Sequence, residues 1–206
     1  IVYRFRSDFV WIVPNASNAS DVYSVLETFK PANIELKNHH ENMGIIAVQG
    51  PDSPQAIAAL GLPEISTYMS AIQAELEGEQ IVLCRSGYTG EIGFEIFAPN
   101  KILLNVWTKL INGGALPIGL AARDTLRLEM GYALHGHEIT QDINPLEAGL
   151  SWAVAMEKPK FQGRENVLAL KQAGVKRKRV GLSALERGIP RADMKVLNGE
   201  YEVGVT

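Results

Sequence analysis

Residues 87–95, Gly-Tyr-Thr-Gly-Glu-Ile-Gly-Phe-Glu, place a glycine at every third position and two carboxylates, Glu91 and Glu95, in a strand-like run. Glycines in such a turn could cradle a phosphate, and the acids could bind or deprotonate a ligand. A dinucleotide turn needs G-x-G-x-x-G between a strand and a helix. Here the spacing is G-x-x-G-x-x-G, a strand follows, and no P-loop motif occurs anywhere. The acids are therefore the better candidates. Strand side chains alternate faces, so Ile92, Phe94 and Ile96 share one face while Glu91, Gly93 and Glu95 share the other. A glycine between two acids leaves room for a flat ring to approach the backbone. A carboxylate accepting two parallel N–H bonds suits an amidine-like edge, as in a guanidinium or a pterin. The competing reading is a solvated or edge strand that carries gatekeeping charge.

Other chemistry-bearing residues are sparser. Arg123 and Arg127, four apart, share a helix face, where surface ion pairing is the default. His135, His137 and Glu138 have a metal-like spacing but no third defined ligand, which leaves a polar loop after a helix. Cys84 lies in an apolar strand run, the setting of an inert packed thiol. No G-x-S-x-G motif is present.

The elements that must position these groups follow from periodicity. "FVWIV" at 9–13 reads as a buried strand. Asn18 or Ser20 caps a helix whose Val22, Val25, Leu26 and Phe29 form one apolar stripe. "MGIIAVQGP" is a strand that breaks at Gly-Pro, and Ser53 caps a helix with Pro54 at its first position. "IVLCRS" and "EIGFEIFA" form a hairpin around the glycine-bearing turn. Asn100 caps the helix "KILLNVWTKLIN", and "IGLAARDTLRLEMG" is a further helix closed by Gly131. Asn198-Gly199 marks a two-residue hairpin turn in a β-rich end. This rhythm is that of an α+β fold.

The 206 residues, 46% hydrophobic and 21% charged, can bury a sizeable core. A net charge of −3 argues against nucleic-acid binding through a global basic field. The run Lys176-Arg177-Lys178-Arg179 is a local exception and reads first as a solvated linker. One cysteine excludes a disulfide framework and favours a reducing, cytoplasmic setting. No apolar run is long enough to span a bilayer. Ile1 opens on a strand already under way and Thr206 stops inside a strand pattern, the appearance of a piece of a longer protein.

"CRSGYTGEIGFEIFAP", "GLAARDTLRLEMGYALHGHEI", "NPLEAGLSWAV" and "FQGRENVL" stand in this order along the chain. In order and spacing the four blocks resemble the aminomethyltransferase of the glycine cleavage system, its T-protein, over essentially all 206 residues. The cysteine-containing K-G-C-Y-x-G-Q-E signature of the related iron-sulfur assembly folate protein is absent. The resemblance implies a multidomain fold with antiparallel sheets and flanking helices. Residues 1–175 would form the folate-binding core, and 176–206 would begin a C-terminal β-barrel domain. It implies transfer of a one-carbon unit from the aminomethyl-lipoyl H-protein to tetrahydrofolate, with release of ammonia. The partners are then that lipoylated protein and tetrahydrofolate, with neither nucleic acid nor membrane. By the same resemblance Glu95 grips the pterin edge and Arg123 belongs to the folate site. Tyr88 lines the pocket, Asn15 and Val13 form the strand end against the pterin, and Tyr132 and Trp152 are aromatic walls. The family's essential aspartate falls just before Ile1, so no catalytic residue is assigned within 1–206 and the stretch alone is expected to be inactive. Two alternatives stay open: a non-catalytic folate-binding module, and the folate domain of a dimethylglycine- or sarcosine-oxidising enzyme. The basic run 176–179 would attract an acidic H-protein or a polyglutamate tail.

Overall fold

The computed structural model describes residues 1–206 and divides into two compact units, Ile1–Asn144 and Pro145–Thr206. The first is organised by four antiparallel strands in the order β3 (Met43–Gln49), β6 (Gly93–Pro99), β5 (Glu79–Cys84), β4 (Ala71–Leu76). The tight β4–β5 turn, Glu77-Gly78, has positive φ at both residues, 54° and 77°, the geometry that matches strand twist. The hairpin expected between "IVLCRS" and "EIGFEIFA" forms, with Cys84 opposite Glu95. It makes β6 a central strand, because β3 pairs along its other side from Met43–Pro99 to Gln49–Gly93. Glu95 is therefore not gatekeeping charge on an edge.

Each face of this sheet has its own core. Phe94, Ile96 and Ala98 point to one face with Ile46, Val48, Ile81 and Leu83. That face is covered by α2 (Ser53–Ala59) and α3 (Asn100–Asn112). Ile102, Val106 and Leu110 of α3, spaced four apart, supply the buried helical stripe. On the opposite face Val82, Cys84 and Phe97 pack with Tyr3 and with Phe5, Trp11 and Val13. These last come from a hairpin of β1 (Val2–Arg6) and β2 (Phe9–Ile12). Cys84 is a buried thiol, as its apolar run implies, and burial pushes it up to about 12.

Two expected caps are displaced. Asp52 precedes α2 while the Ser53 hydroxyl donates to the Ile92 carbonyl at 3.1 Å. Pro99 precedes α3, and the Asn100 amide donates instead to the Glu41 carbonyl at 2.9 Å. In both cases the polar side chain ties the helix start to another segment rather than closing its own first turn. The helix expected from the Val22–Phe29 stripe is α1 (Ala19–Phe29).

After α4 (Leu120–Glu129) the chain returns through 131–138, and Arg127 anchors that return. Only 4% exposed, its Nη1 lies 2.8 Å from both Glu138 oxygens and 3.1 Å from the Tyr132 carbonyl. Its Nε lies 2.7 Å from Asp124 Oδ1. Arg127 is thus a buried loop anchor and not a surface pairing residue. The carboxylate of the apparent metal motif is likewise committed, since Glu138 also accepts the Leu134 N–H at 2.9 Å.

The second unit holds α5 (Arg164–Ala173) and a hairpin of β7 (Lys195–Asn198) and β8 (Tyr201–Val205). Asn198 pairs with Tyr201, so the turn residues are Gly199 and Glu200, one place beyond the expected pair, with Gly199 taking φ 64°. The unit begins upstream of residue 176. Arg179 N–H donates to the Glu147 carbonyl at 2.8 Å, and Arg177 Nε pairs with Glu147 Oε1 at 3.1 Å, which binds the basic run to residue 147. No helix is long and apolar enough to cross a membrane.

Ile96 is 0% exposed at the centre of the larger core. Ile96→Ala should lower the unfolding free energy by about 2–5 kcal/mol in urea titrations, the scale of a buried cavity. A second expectation concerns acid. Burial alone would raise Glu138, but the hydrogen bonds from Arg127 and the Leu134 N–H outweigh it and hold the carboxyl below its ordinary value of 4.5. A lowered native value contributes stability that is fully present above the unfolded value and is lost as pH falls through the native one. Between about pH 5 and 3 the unfolding free energy should therefore fall less steeply in Glu138→Gln than in the parent chain. Equal slopes would show that the fork carries no acid sensitivity.

Candidate functional site

Along β6 the side chains are buried at every position from Gly93 to Ala98 except Glu95, which is half-buried. Glu95 lies on the face of the smaller core. Its register partner on β5 is Cys84, and Ser86, two residues farther on, is its diagonal neighbour. The Ser86 hydroxyl, 1% exposed, donates to Glu95 Oε2 at 2.6 Å. Tyr3, 4% exposed, donates its phenolic proton to Ser86 Oγ at 3.0 Å. Burial raises the Tyr3 phenol well above its ordinary value of 10.0, which keeps it a donor. Glu95 also lies within electrostatic reach of the Ile1 amino group. Ile1 is joined to Val13 by reciprocal backbone hydrogen bonds of 2.9 Å. Thus β1 and the end of β2 arrive beside the carboxylate.

The glycines of 87–95 do not open a slot for a ring. The amide of Gln49 fills the space beside both Gly87 and Gly93, where any Cβ would collide with it. Gln49 Nε2 donates to the carbonyls of Ser86 at 3.2 Å and Phe94 at 3.1 Å, and its Oε1 accepts from Thr89 Oγ1 at 3.1 Å. The side chain stitches the turn to both strand ends. Gly90 adopts φ 82° and lies against Met130, which leaves no room for a side chain. Because β6 begins at Gly93, Glu91 lies outside the strand and is exposed. The two acids therefore do not share a strand face.

A second group of predicted residues assembles on the other side of the turn. Tyr88 and Tyr132 stack with centroids 5.6 Å apart and ring planes 22° from parallel. The Tyr88 hydroxyl donates to the Ala133 carbonyl at 2.6 Å. The Arg123 guanidinium sits 5.1 Å from the Tyr88 ring centroid, within cation–π range. Arg127 holds the Tyr132 carbonyl one turn below Arg123, so the two arginines of α4 contact the two halves of the stack, Arg123 at Tyr88 and Arg127 at Tyr132. Tyr68 interacts with Tyr132 and lies within the electrostatic reach of Glu95 and Arg85, which links the two groups. An open cavity of about 250 Å³ there is lined by Tyr68, Arg85, Gly87, Glu91 and Tyr132.

The structure thus gathers Tyr88, Tyr132 and Arg123, and brings Val13 toward Glu95 through Ile1. Asn15 is exposed beyond β2, with extended backbone at φ −69° and ψ 149°. Trp152 belongs to the second unit, where its ring is 82% exposed. Sequence reasoning missed Ser86, Tyr3, Gln49 and Tyr68. Only Ser86 left a trace, as a small polar residue two places after Cys84 at a strand end.

Comparison with known proteins places this geometry in a family. Residues 1–158 match the GCVT N-terminal domain. An aminomethyltransferase of Parafrankia sp. (strain EAN1pec) is 44% identical over 200 residues, covering 95% of this chain and 55% of the relative. One from Mycobacterium tuberculosis (strain H37Rv) is 42% identical over 210 residues, covering 100% of this chain and 57% of the relative. The crystal structure of the glycine cleavage system aminomethyltransferase T from Bartonella henselae superposes with a TM-score of 0.82 at 35% identity. That match covers 93% of this chain and 54% of the other. The chain spans just over half the length of the curated relatives it matches. With the family domain matched over most of its residues and aminomethyltransferases aligned along nearly all of it, the chain belongs to the GCVT aminomethyltransferase family.

Proposed function

We propose that this chain carries the tetrahydrofolate-binding part of a glycine cleavage aminomethyltransferase. The observation that carries the reading is Glu95: one oxygen is held by a buried hydroxyl, and Oε1 accepts no hydrogen bond from a protein side chain. Such a carboxylate accepts paired N–H bonds from the amidine-like edge of a pterin. The Val13 backbone and Asn15 border that edge, and the Tyr88–Tyr132 stack supplies a flat apolar wall. Arg123, over Tyr88, adds positive charge for the folate's acidic portion. In the reaction, the one-carbon unit on the lipoyl arm of the H-protein passes to tetrahydrofolate, and ammonia and the reduced dithiol leave. The β7–β8 hairpin would belong to a C-terminal β-barrel domain, and the one buried thiol suits a reducing cytoplasm.

Calorimetric titration of the full chain with tetrahydrofolate tests the reading. Glu95→Ala should weaken binding by about 1–3 kcal/mol, the scale of charged hydrogen bonds. Unchanged affinity would remove Glu95 from the site. In the full-length enzyme Arg123→Ala should lower aminomethyl transfer while leaving the thermal transition in place, and loss of the folded state would make Arg123 structural instead.

A further inference from the structure

Glu95 is a flexible side chain with three rotatable bonds, and what holds it is a chain of hydroxyls rising from the core. We infer that Ser86, backed by Tyr3, is the positioning residue that presents the Glu95 carboxylate to tetrahydrofolate, an inference that rests on Glu95 being the folate contact. The direction of the relay follows from proton counting. A carboxylate only accepts, and a serine hydroxyl has one proton to give. At 2.6 Å that proton goes to Glu95 Oε2. Ser86 Oγ then has lone pairs to offer, and Tyr3 at 3.0 Å fills one with its own proton. Burial keeps that phenol protonated, so the order Tyr3 to Ser86 to Glu95 runs one way. Both hydroxyls are buried, and each donated bond polarises the next.

The relay fixes more than a distance. With Oε2 held on one side, the carboxylate plane is set before any ligand arrives. Oε1 and the second lone pair of Oε2 remain for two parallel N–H donors. Without Ser86 the carboxylate would sample other rotamers and lose that freedom on binding, which weakens affinity. Ser86 is the one side chain that hydrogen-bonds Glu95.

Because Ser86 and Tyr3 are buried, truncating either also lowers stability, and a thermal shift alone does not separate the two roles. A double-mutant cycle read by tetrahydrofolate titration of the full chain does. Ser86→Ala should weaken binding about fivefold to tenfold. In the Glu95→Ala background the same change should weaken it by less than about twofold, since no carboxylate remains to be held. Tyr3→Phe, which keeps the ring in the core, should weaken binding about twofold to threefold and also lose its effect without Glu95. That second cycle decides the matter if Ser86→Ala does not fold. Equal effects in both backgrounds would make the hydroxyls merely structural and overturn the inference. Loss of affinity on Glu95→Ala with both hydroxyl variants neutral would overturn it while leaving the folate site intact. A neutral Glu95→Ala would overturn both.

Discussion

A strand buried on both faces exposes a charged group only where its cover runs out, and strand β6 does so at Glu95. Helices α2 and α3 seal one face of the sheet, the β1–β2 hairpin seals the other, and β3 and β5 flank β6 on its two sides. A carboxylate placed there cannot be left unsatisfied without cost. Ser86, just past the end of β5, satisfies one oxygen, and Tyr3 of the covering hairpin donates to Ser86 in turn. The position of the hairpin thus governs the orientation of the acid, and packing on that face of the sheet bears directly on the site.

The aromatic half of the site depends on a different interaction, the buried fork between Arg127 and Glu138. Such pairs add little net stability over an apolar replacement, yet removing one partner strands the other charge. What this pair specifies is the path of 131–138, which holds Tyr132 in its stack and supplies the carbonyl that receives the Tyr88 hydroxyl. Arg123, one turn earlier on α4, lies over the Tyr88 ring of that pair. Gln49 performs the matching task on the turn side by filling the space that Gly87 and Gly93 leave.

Much of this arrangement was legible from local pattern. Alternation placed Phe94 and Ile96 in the core and Glu95 on the opposite face, and the 3.6-residue period of Val22, Val25, Leu26 and Phe29 located α1. Local pattern failed where partners are distant in sequence. Tyr3 and Ser86 meet across 83 positions, and no periodicity announces such a bond. Arg127 looked like Arg123 because spacing reports a shared helix face and not the depth of burial. The glycines of 87–95 suggested room for a ligand, whereas the occupant is a glutamine 38 residues upstream of Gly87. The choice of Glu95 over Glu91 came from family resemblance, whereas the start of β6 at Gly93 shows only that Glu91 stands outside the strand.

The most direct measurement is a crystal structure of the full chain with tetrahydrofolate bound. The pterin's amidine-like edge should lie within hydrogen-bond distance of both Glu95 oxygens, with the Ser86–Glu95 bond still in place. A pterin seated away from Glu95, or a Glu95 carboxylate that has released Ser86 to reach it, would contradict the account.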